Sequence, residues 1–335
     1  MKRIIGYFIV LLIAVVFTTS VYAQMTPKRF LKKFDENGDG KVSADEFTGN
    51  KRPFGFFDQD GDGVATQNEI ESALNGKSAS QKSAKMRDGQ VPLSEIDAKT
   101  RCGVGRGREC DIEIAKELGL RPTGLKPAFP DGLDCRDIDE GWAISYTAKR
   151  DREQYHGGID MPAPYGTPML AAADGTVVMK SAAEKSYRGI ELIIRHSPDD
   201  TGLPVWIYTQ YAHFDAMPSV NVGDRVRIGQ DLGPTGNSGY QTGMKAIKKP
   251  RRPAIHFAVW FSENETYAID RNKLIPTKGR WMDPNALYRK QPPFDTDSLI
   301  ALPDTEKEVA IPVMVEGGEI VPAGSKVIWP YACSR

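Results

Sequence analysis

Hydrophobic and polar positions divide the 335-residue chain into four regimes. From Ile4 to Phe17 every residue is apolar except Gly6. A helix needs about 20 such residues to cross a bilayer, and this run is shorter. Lys2 and Arg3 precede it and Val21-Tyr22-Ala23 follows, so residues 1–23 read as a signal peptide cleaved after Ala23. In the second regime, Phe30, Leu31 and Phe34 lead into one acidic stretch and Phe56 and Phe57 into another. With Phe47 and Ile70 opening the exits, this pattern predicts short helices flanking two polar loops within residues 24–74. Ser, Lys, Gln and Gly dominate from Asn75 to Gly89, which predicts a linker over residues 75–100. Ile112, Ile114, Ala115 and Leu118 then predict a helix over residues 111–118, ended by Gly119 and Pro122. Beyond Gly141 helical periodicity almost disappears. Runs of β-branched and aromatic residues predict strands at 176–179, 190–195, 205–212, 225–228 and 255–261, with a β-like tail at 309–315 and 326–329. Asp174-Gly175, Gly202, Gly223-Asp224, Gly229 and Gly236-Asn237-Ser238-Gly239 punctuate them. The fold class is therefore multidomain: a small α-helical pair followed by a mainly antiparallel β domain.

Charge and cysteine content narrow the function classes. Basic and acidic residues number 44 each, and loss of Lys2 and Arg3 with the leader leaves the remainder almost neutral. Such a balance argues against a nucleic-acid binder and leaves the membrane as a transient partner of the leader alone. Cys102, Cys110, Cys135 and Cys333 form an even set in a chain expected to be exported, periplasmic or secreted. Disulfides follow, with three possible connectivities. Cys102–Cys110 with Cys135–Cys333 is preferred, because the second pair ties the C-terminal region to the main domain. No Cys-x-x-Cys spacing points to thiolate zinc ligation, and no cysteine after Ala23 points to a lipid anchor.

The two polar loops repeat one pattern. Asp35, Asn37, Asp39, Gly40, Ser43 and Glu46 recur as Asp58, Asp60, Asp62, Gly63, Thr66 and Glu69. Calcium takes six to eight oxygens, alternate residues point inward, the glycine permits the sharp turn and the last Glu binds through both oxygens. These are EF-hand loops, in which Asp35, Asn37, Asp39 and Glu46, and Asp58, Asp60, Asp62 and Glu69, supply side chains. Lys41 and Val64 supply backbone carbonyls. The second loop has four carboxylates against three and is expected to bind calcium more tightly.

Four histidines remain: His156, His196, His213 and His256. His156 and Asp160, four residues apart, and the distant His256 make a set of three ligands that leaves zinc a fourth position for water. His196 reads as a core histidine. The segment from His156 to Pro164, followed by Gly166-Thr167-Pro168 and Ala173-Asp174-Gly175, resembles the opening of the M23 (LytM and lysostaphin-like) metallopeptidases. Tyr211-Ala212-His213, Gly236-Asn237-Ser238-Gly239, Ile255-His256-Phe257 and Trp281-Met282-Asp283-Pro284 resemble later motifs of that family, so the likeness covers roughly residues 142–287. It implies an antiparallel β peptidase domain with an open groove, placed at residues 142–290. A disulfide-containing segment at 101–141 precedes it and a C-terminal β extension at 291–335 follows. It also implies a zinc-dependent endopeptidase cutting peptidoglycan stems or cross-links, with His213 stabilising the oxyanion or moving protons.

The chain departs from the family twice. A second catalytic histidine usually stands two residues before the last ligand, where this chain has Ala254, and an acidic residue usually follows the phenylalanine, where it has Ala258. Loss of a general acid–base group costs about 10²–10⁴ in rate, so a slow enzyme is expected. The alternative is a catalytically inactive peptidoglycan-binding or hydrolase-regulating protein. An extra segment, Met244 to Pro253, carries Lys245, Lys248, Lys249, Arg251 and Arg252. Bordering the groove, this loop is expected to attract anionic wall polymers, and Arg252 to take over the missing electrostatic role.

Overall fold

The computed structural model describes residues 26–48, 54–58, 63–74, 87–105, 110–138, 148–149, 152–183, 186, 188–239 and 252–335. The leader at 1–23, Asp60 and Asp62, the stretch 75–86 and the basic segment up to residue 251 lie outside the described residues.

The N-terminal module is a small aromatic cluster. The helix Pro27–Phe34 starts from Thr26, whose side chain accepts the Arg29 N–H, and turns Phe30 and Phe34 inward. The short strands Lys41–Ser43 and Val64–Thr66 pair antiparallel, with Val42 opposite Ala65. Phe30, Phe34, Phe57, Val42, Ala65 and Ile70 close one core. Of the expected flanking helices, Gln67–Leu74 forms, but Phe47 follows a turn and Phe54–Phe56 makes only a 3-10 turn. Phe47 nevertheless packs against the ring cluster, 4.8 Å from Phe34 and 5.4 Å from Phe57, so its apolar signal reports burial and not helix.

The main unit is built on a seven-stranded sheet. In chain order its strands are β1 (Ile159–Pro162), β2 (Gly175–Ala183), β3 (Gly189–His196), β4 (Trp206–Ala212), β5 (Arg225–Val226), β6 (Ala254–Ser262) and β7 (Arg280–Met282). All pairings are antiparallel, in the order β5, β2, β3, β4, β6, β7. Strand β6 has two partners on its far edge: Ala254 to Phe257 pair with β1, and Val259 to Phe261 with β7. Strands β3, β4 and β6 are buried along almost their whole length, which is why their sequences lack a regular apolar–polar alternation.

Segments outside the sheet share its core. Ile96, Val104, Leu118 and Leu125 from before it, and Leu299, Val309, Trp329 and Tyr331 from after it, belong to the same cluster of buried side chains as Ile193, Ile207 and Phe257. Part of the predicted linker belongs here too. Ile96 is buried, Val91 and Leu93 pack on the core, and Asp88 pairs with Arg195 at 2.5 Å. The helix Ile112–Glu117 forms where predicted, with Asp111 accepting the Glu113 N–H as its cap. Both disulfides are Cys102–Cys110 and Cys135–Cys333, the preferred pairing. In the tail, Glu308–Ala310 and Val313–Met314 are strands, whereas residues 326–329 are not. Ile328 instead gives its N–H to the Ala172 carbonyl and Trp329 gives its N–H to that of Pro312, so these apolar residues are pinned singly, without a ladder.

His196 is a structural histidine. It is fully buried, with Nδ1 2.6 Å from the Asp174 carbonyl and Nε2 2.7 Å from Thr209 Oγ1. Burial pulls its pKa from 6.5 down to about 4. The unfolded chain therefore binds this proton at a higher pH than the folded one, so the contribution to stability is present above pH 6.5 and is lost as pH falls towards 4. Urea unfolding at pH 7 and pH 4.5 will show the wild type losing on the order of 2–3 kcal/mol from this group, and His196→Asn will show a flatter dependence over that window.

Candidate metal centre

Strand pairing brings the predicted ligands together. His256 on β6 lies directly opposite Asp160 on β1, and directly opposed residues of an antiparallel pair project to the same face. His156 reaches the same point from the turn that feeds β1, where Gly157 has φ 71°. Its Nε2 stands 3.1 Å from Asp160 Oδ1 and 3.2 Å from His256 Nδ1, and the latter is 3.1 Å from Asp160 Oδ1. Gly158 makes this approach possible. A Cβ there would meet the Phe257 carbonyl oxygen at 2.6 Å and the His256 ring at 2.7 Å.

The donor set fits a divalent ion. Tetrahedral ligands at about 2.0–2.2 Å from zinc stand about 3.3–3.6 Å from one another, close to the triangle observed. Three electron-pair donors meet here, and proton bridges link them only pairwise, whereas a single cation satisfies all three. Burial, opposed by the hydrogen bond to Asp160, lowers the His256 pKa to about 3 and keeps its imidazole in the neutral, ligating form. Among the described residues this is the one group of three His, Cys, Asp or Glu donors gathered within 4.8 Å.

His213 stands beside this group. It ends β4 in the left-handed region, φ 74°, held by N–H bonds to the Arg188 and Ile190 carbonyls and by its own carbonyl accepting from Gly236. Its Nδ1 lies 2.7 Å from the Ser238 carbonyl, which only accepts, so Nδ1 is the donor in this bond. The His213 and His256 ring centroids are 5.9 Å apart. Ala254 and Ala258 occupy the same face of β6 as His256, by the two-residue period of a strand. Both expected departures therefore face the site as methyl groups. Arg252 is half-buried, and desolvation lowers its pKa.

Two features escaped the sequence. Glu191 lies opposite Ala212, which lies opposite His256, so the three share one cross-strand row. Its carboxyl is fully buried, bonded by the Gln210 amide, and burial raises its pKa. An acid between Ile190 and Leu192 in an apolar strand was the available signal. The second is Tyr331, whose hydroxyl reaches Ile255. No local pattern connects residues so far apart in the chain.

In the N-terminal module, Asp35 Oδ1 accepts the Gly38 and Asp39 N–H groups at 2.7 and 3.1 Å, and Oδ2 accepts that of Gly40 at 2.9 Å. Asn37 Nδ2 donates to Asp39 at 3.2 Å. Glu46 Oε2 accepts from Ser43 N and Oγ at 2.7 Å, and these bonds lower its pKa. The second loop repeats this, with Glu69 accepting from Thr66 Oγ1 at 2.7 Å and Asp58 from Gly63 N at 3.1 Å. Lys41 and Val64, the expected carbonyl donors, open the two paired strands.

Residues 154–269 match peptidase family M23, and residues 28–48 match the EF hand family. An uncharacterized metalloprotease of Buchnera aphidicola is 31% identical over 105 residues, which is 31% of this chain and 23% of that protein. The peptidoglycan DD-endopeptidase ShyC of Vibrio cholerae is 36% identical over 88 residues, 26% of this chain and 18% of that one. The chain thus spans less than a quarter of the length of either relative. The catalytic domain of the prophage-encoded M23 protein EnpA from Enterococcus faecalis, solved as a crystal structure, is 26% identical, covering 40% of this chain and 85% of that one with a TM-score of 0.28. The three converging donors and the family match coincide in one stretch of sequence: residues 154–269, which hold His156, Asp160 and His256, match peptidase family M23, and the EF-hand match lies ahead of them.

Proposed function

We propose that the protein is an exported zinc metallopeptidase that hydrolyses peptide bonds of peptidoglycan stems or cross-links, with a calcium-binding module ahead of the catalytic domain. The observation that carries this reading is the convergence of His156 Nε2, Asp160 Oδ1 and His256 Nδ1 within 3.2 Å of one another at a buried point of the sheet. ShyC, a similar protein, bears the name of a peptidoglycan endopeptidase and supports the substrate class. The four cysteines paired as two disulfides suit an oxidising, extracytoplasmic compartment.

His156, Asp160 and His256 would hold the zinc. When bound, the ion polarises a carbonyl and lowers the pKa of coordinated water towards neutrality. His213 Nδ1 donates to the Ser238 carbonyl, so Nε2 is the nitrogen that would accept a proton during attack and return it to the leaving amine. Ala254 offers neither a proton nor a hydrogen bond, so transition-state charge finds one imidazole fewer than in the family pattern. Turnover is accordingly slow.

Digestion of purified sacculi tests the reaction. New amino termini will appear with the wild type, and His156→Ala or chelation will abolish them. His213→Gln will lower turnover by about 10²–10⁴ while zinc content stays at the wild-type level. A zinc-loaded wild type that releases nothing would identify a wall-binding scaffold in place of an enzyme. Gly158→Ala forces a methyl against the His256 ring and will weaken zinc binding by about 10- to 100-fold, measured by competition with a chromogenic chelator. Calcium titration will raise the thermal stability of the full chain. Glu46→Gln and Glu69→Gln will each remove part of that rise, and an unchanged response in both variants would refute calcium ligation.

A further inference from the structure

Tyr331 lies 62 residues beyond the last residue matched to the peptidase family, yet its hydroxyl touches the candidate centre's scaffold on two sides. The side chain is fully buried. Its oxygen accepts the Ile255 N–H at 3.2 Å, and Ile255 is the residue between Ala254 and the ligand His256. The same oxygen is 2.7 Å from Thr235 Oγ1. Thr235 opens the turn that orients His213: Gly236 N donates to the His213 carbonyl, and the Ser238 carbonyl accepts from His213 Nδ1. The Gly236 carbonyl closes the circuit by accepting the Ala254 N–H at 3.2 Å. One hydroxyl thus fastens the strand bearing a metal ligand to the turn that sets the tautomer of the proton acceptor.

The surroundings hold Tyr331 in that place. Pro330 accepts the Leu170 N–H at 2.9 Å, and Trp329 Nε1 donates to the Arg136 carbonyl at 2.7 Å. Cys333, two residues on, is bonded to Cys135, and Ser334 exchanges two backbone hydrogen bonds of 2.9 Å with Asp134. A residue tied on both sides of a fully buried ring spends no further rotamer entropy to present its hydroxyl.

We propose that Tyr331 is a positioning residue of the metal centre, supplied by the C-terminal segment, that sets the spacing between His256 and His213 through Ile255 and Thr235. The proposal rests on the zinc reading given above but not on turnover. It implies that the family-matched region alone does not hold the two histidines in their working relation.

The test uses the full chain with Tyr331→Phe, which keeps the ring and removes only the hydroxyl, and Thr235→Val, which removes its partner. Cobalt(II) substituted for zinc gives a visible d–d spectrum that reports ligand geometry. Tyr331→Phe will alter that spectrum and weaken metal binding by about 2- to 10-fold, the range for one hydrogen bond. Thr235→Val will do the same, and the double variant will show less than the product of the two effects. On sacculi, turnover will fall with KM unchanged. A Tyr331→Phe protein that loses thermal stability alone, with the wild-type cobalt spectrum and metal affinity, would overturn the proposal while leaving the zinc reading intact. A wild type that binds neither metal would remove both. A wild type that binds metal but never cleaves sacculi, with the spectral change still present in Tyr331→Phe, would sustain the positioning role and reject the peptidase.

Discussion

Everything at the candidate centre depends on register, the pairing of β6 with β1 that sets His256 opposite Asp160. A slip of one residue along either strand would send one donor to the opposite face of the sheet and leave a buried carboxylate alone. The register is not left to these two residues. On its other edge β6 pairs with β4 over seven consecutive positions, from Trp206–Ser262 to Ala212–His256, and further along the edge it shares with β1 it pairs with β7. Apolar side chains lock each of these contacts, Trp260 against Trp281 and Tyr211 against Phe257 among them. The hydrophobic core thus does chemical work, because its jigsaw holds a carboxylate and two imidazoles closer than they would gather unaided.

Backbone conformation supplies what the ladder cannot. The chain must leave β4 abruptly for the His213 ring to approach β6, and a residue with a side chain occupies the left-handed region to achieve it. Such a conformation costs on the order of 1–3 kcal/mol and persists only where neighbours over-determine it. Two N–H bonds, a carbonyl bond and the Nδ1–Ser238 contact do so here. Gly158 is the converse case, a place where absence of a side chain is the functional property, since the space its Cβ would fill belongs to the His256 ring.

The sequence made the donors legible because their residue types are rare and their chemistry narrow. Among four histidines, His156, His213 and His256 gather, while His196 is absorbed into the core. Strands announced themselves wherever β-branched runs were long, as in residues 190–195 and 255–261. Short runs misled. Residues 326–329 carry similar side chains, but Ile328 and Trp329 bond to two different partners, Ala172 and Pro312, and the first lies more than a hundred positions away. Phe47 shows a second limit, since an aromatic residue entering a cluster looks the same in sequence whether its backbone is helical or turned. Tyr331 was illegible for a third reason, since its role exists only through long-range contacts that leave no periodic trace, and Glu191 showed only as an acid within an apolar strand.

The Cys135–Cys333 bond has a topological consequence. With a sequence separation of 198 residues, it makes a closed covalent ring of the whole stretch that bears the donors. On a chain-entropy account a loop of this size restricts the unfolded state by about 5 kcal/mol. The ring also changes what a cut means. A protease that severs the backbone once between residues 135 and 333, for instance at the lysines of the 245–249 segment, opens the ring but leaves a single molecule. The two halves stay tethered across the sheet, and a nick that would separate a linear domain into fragments becomes a break the fold can survive.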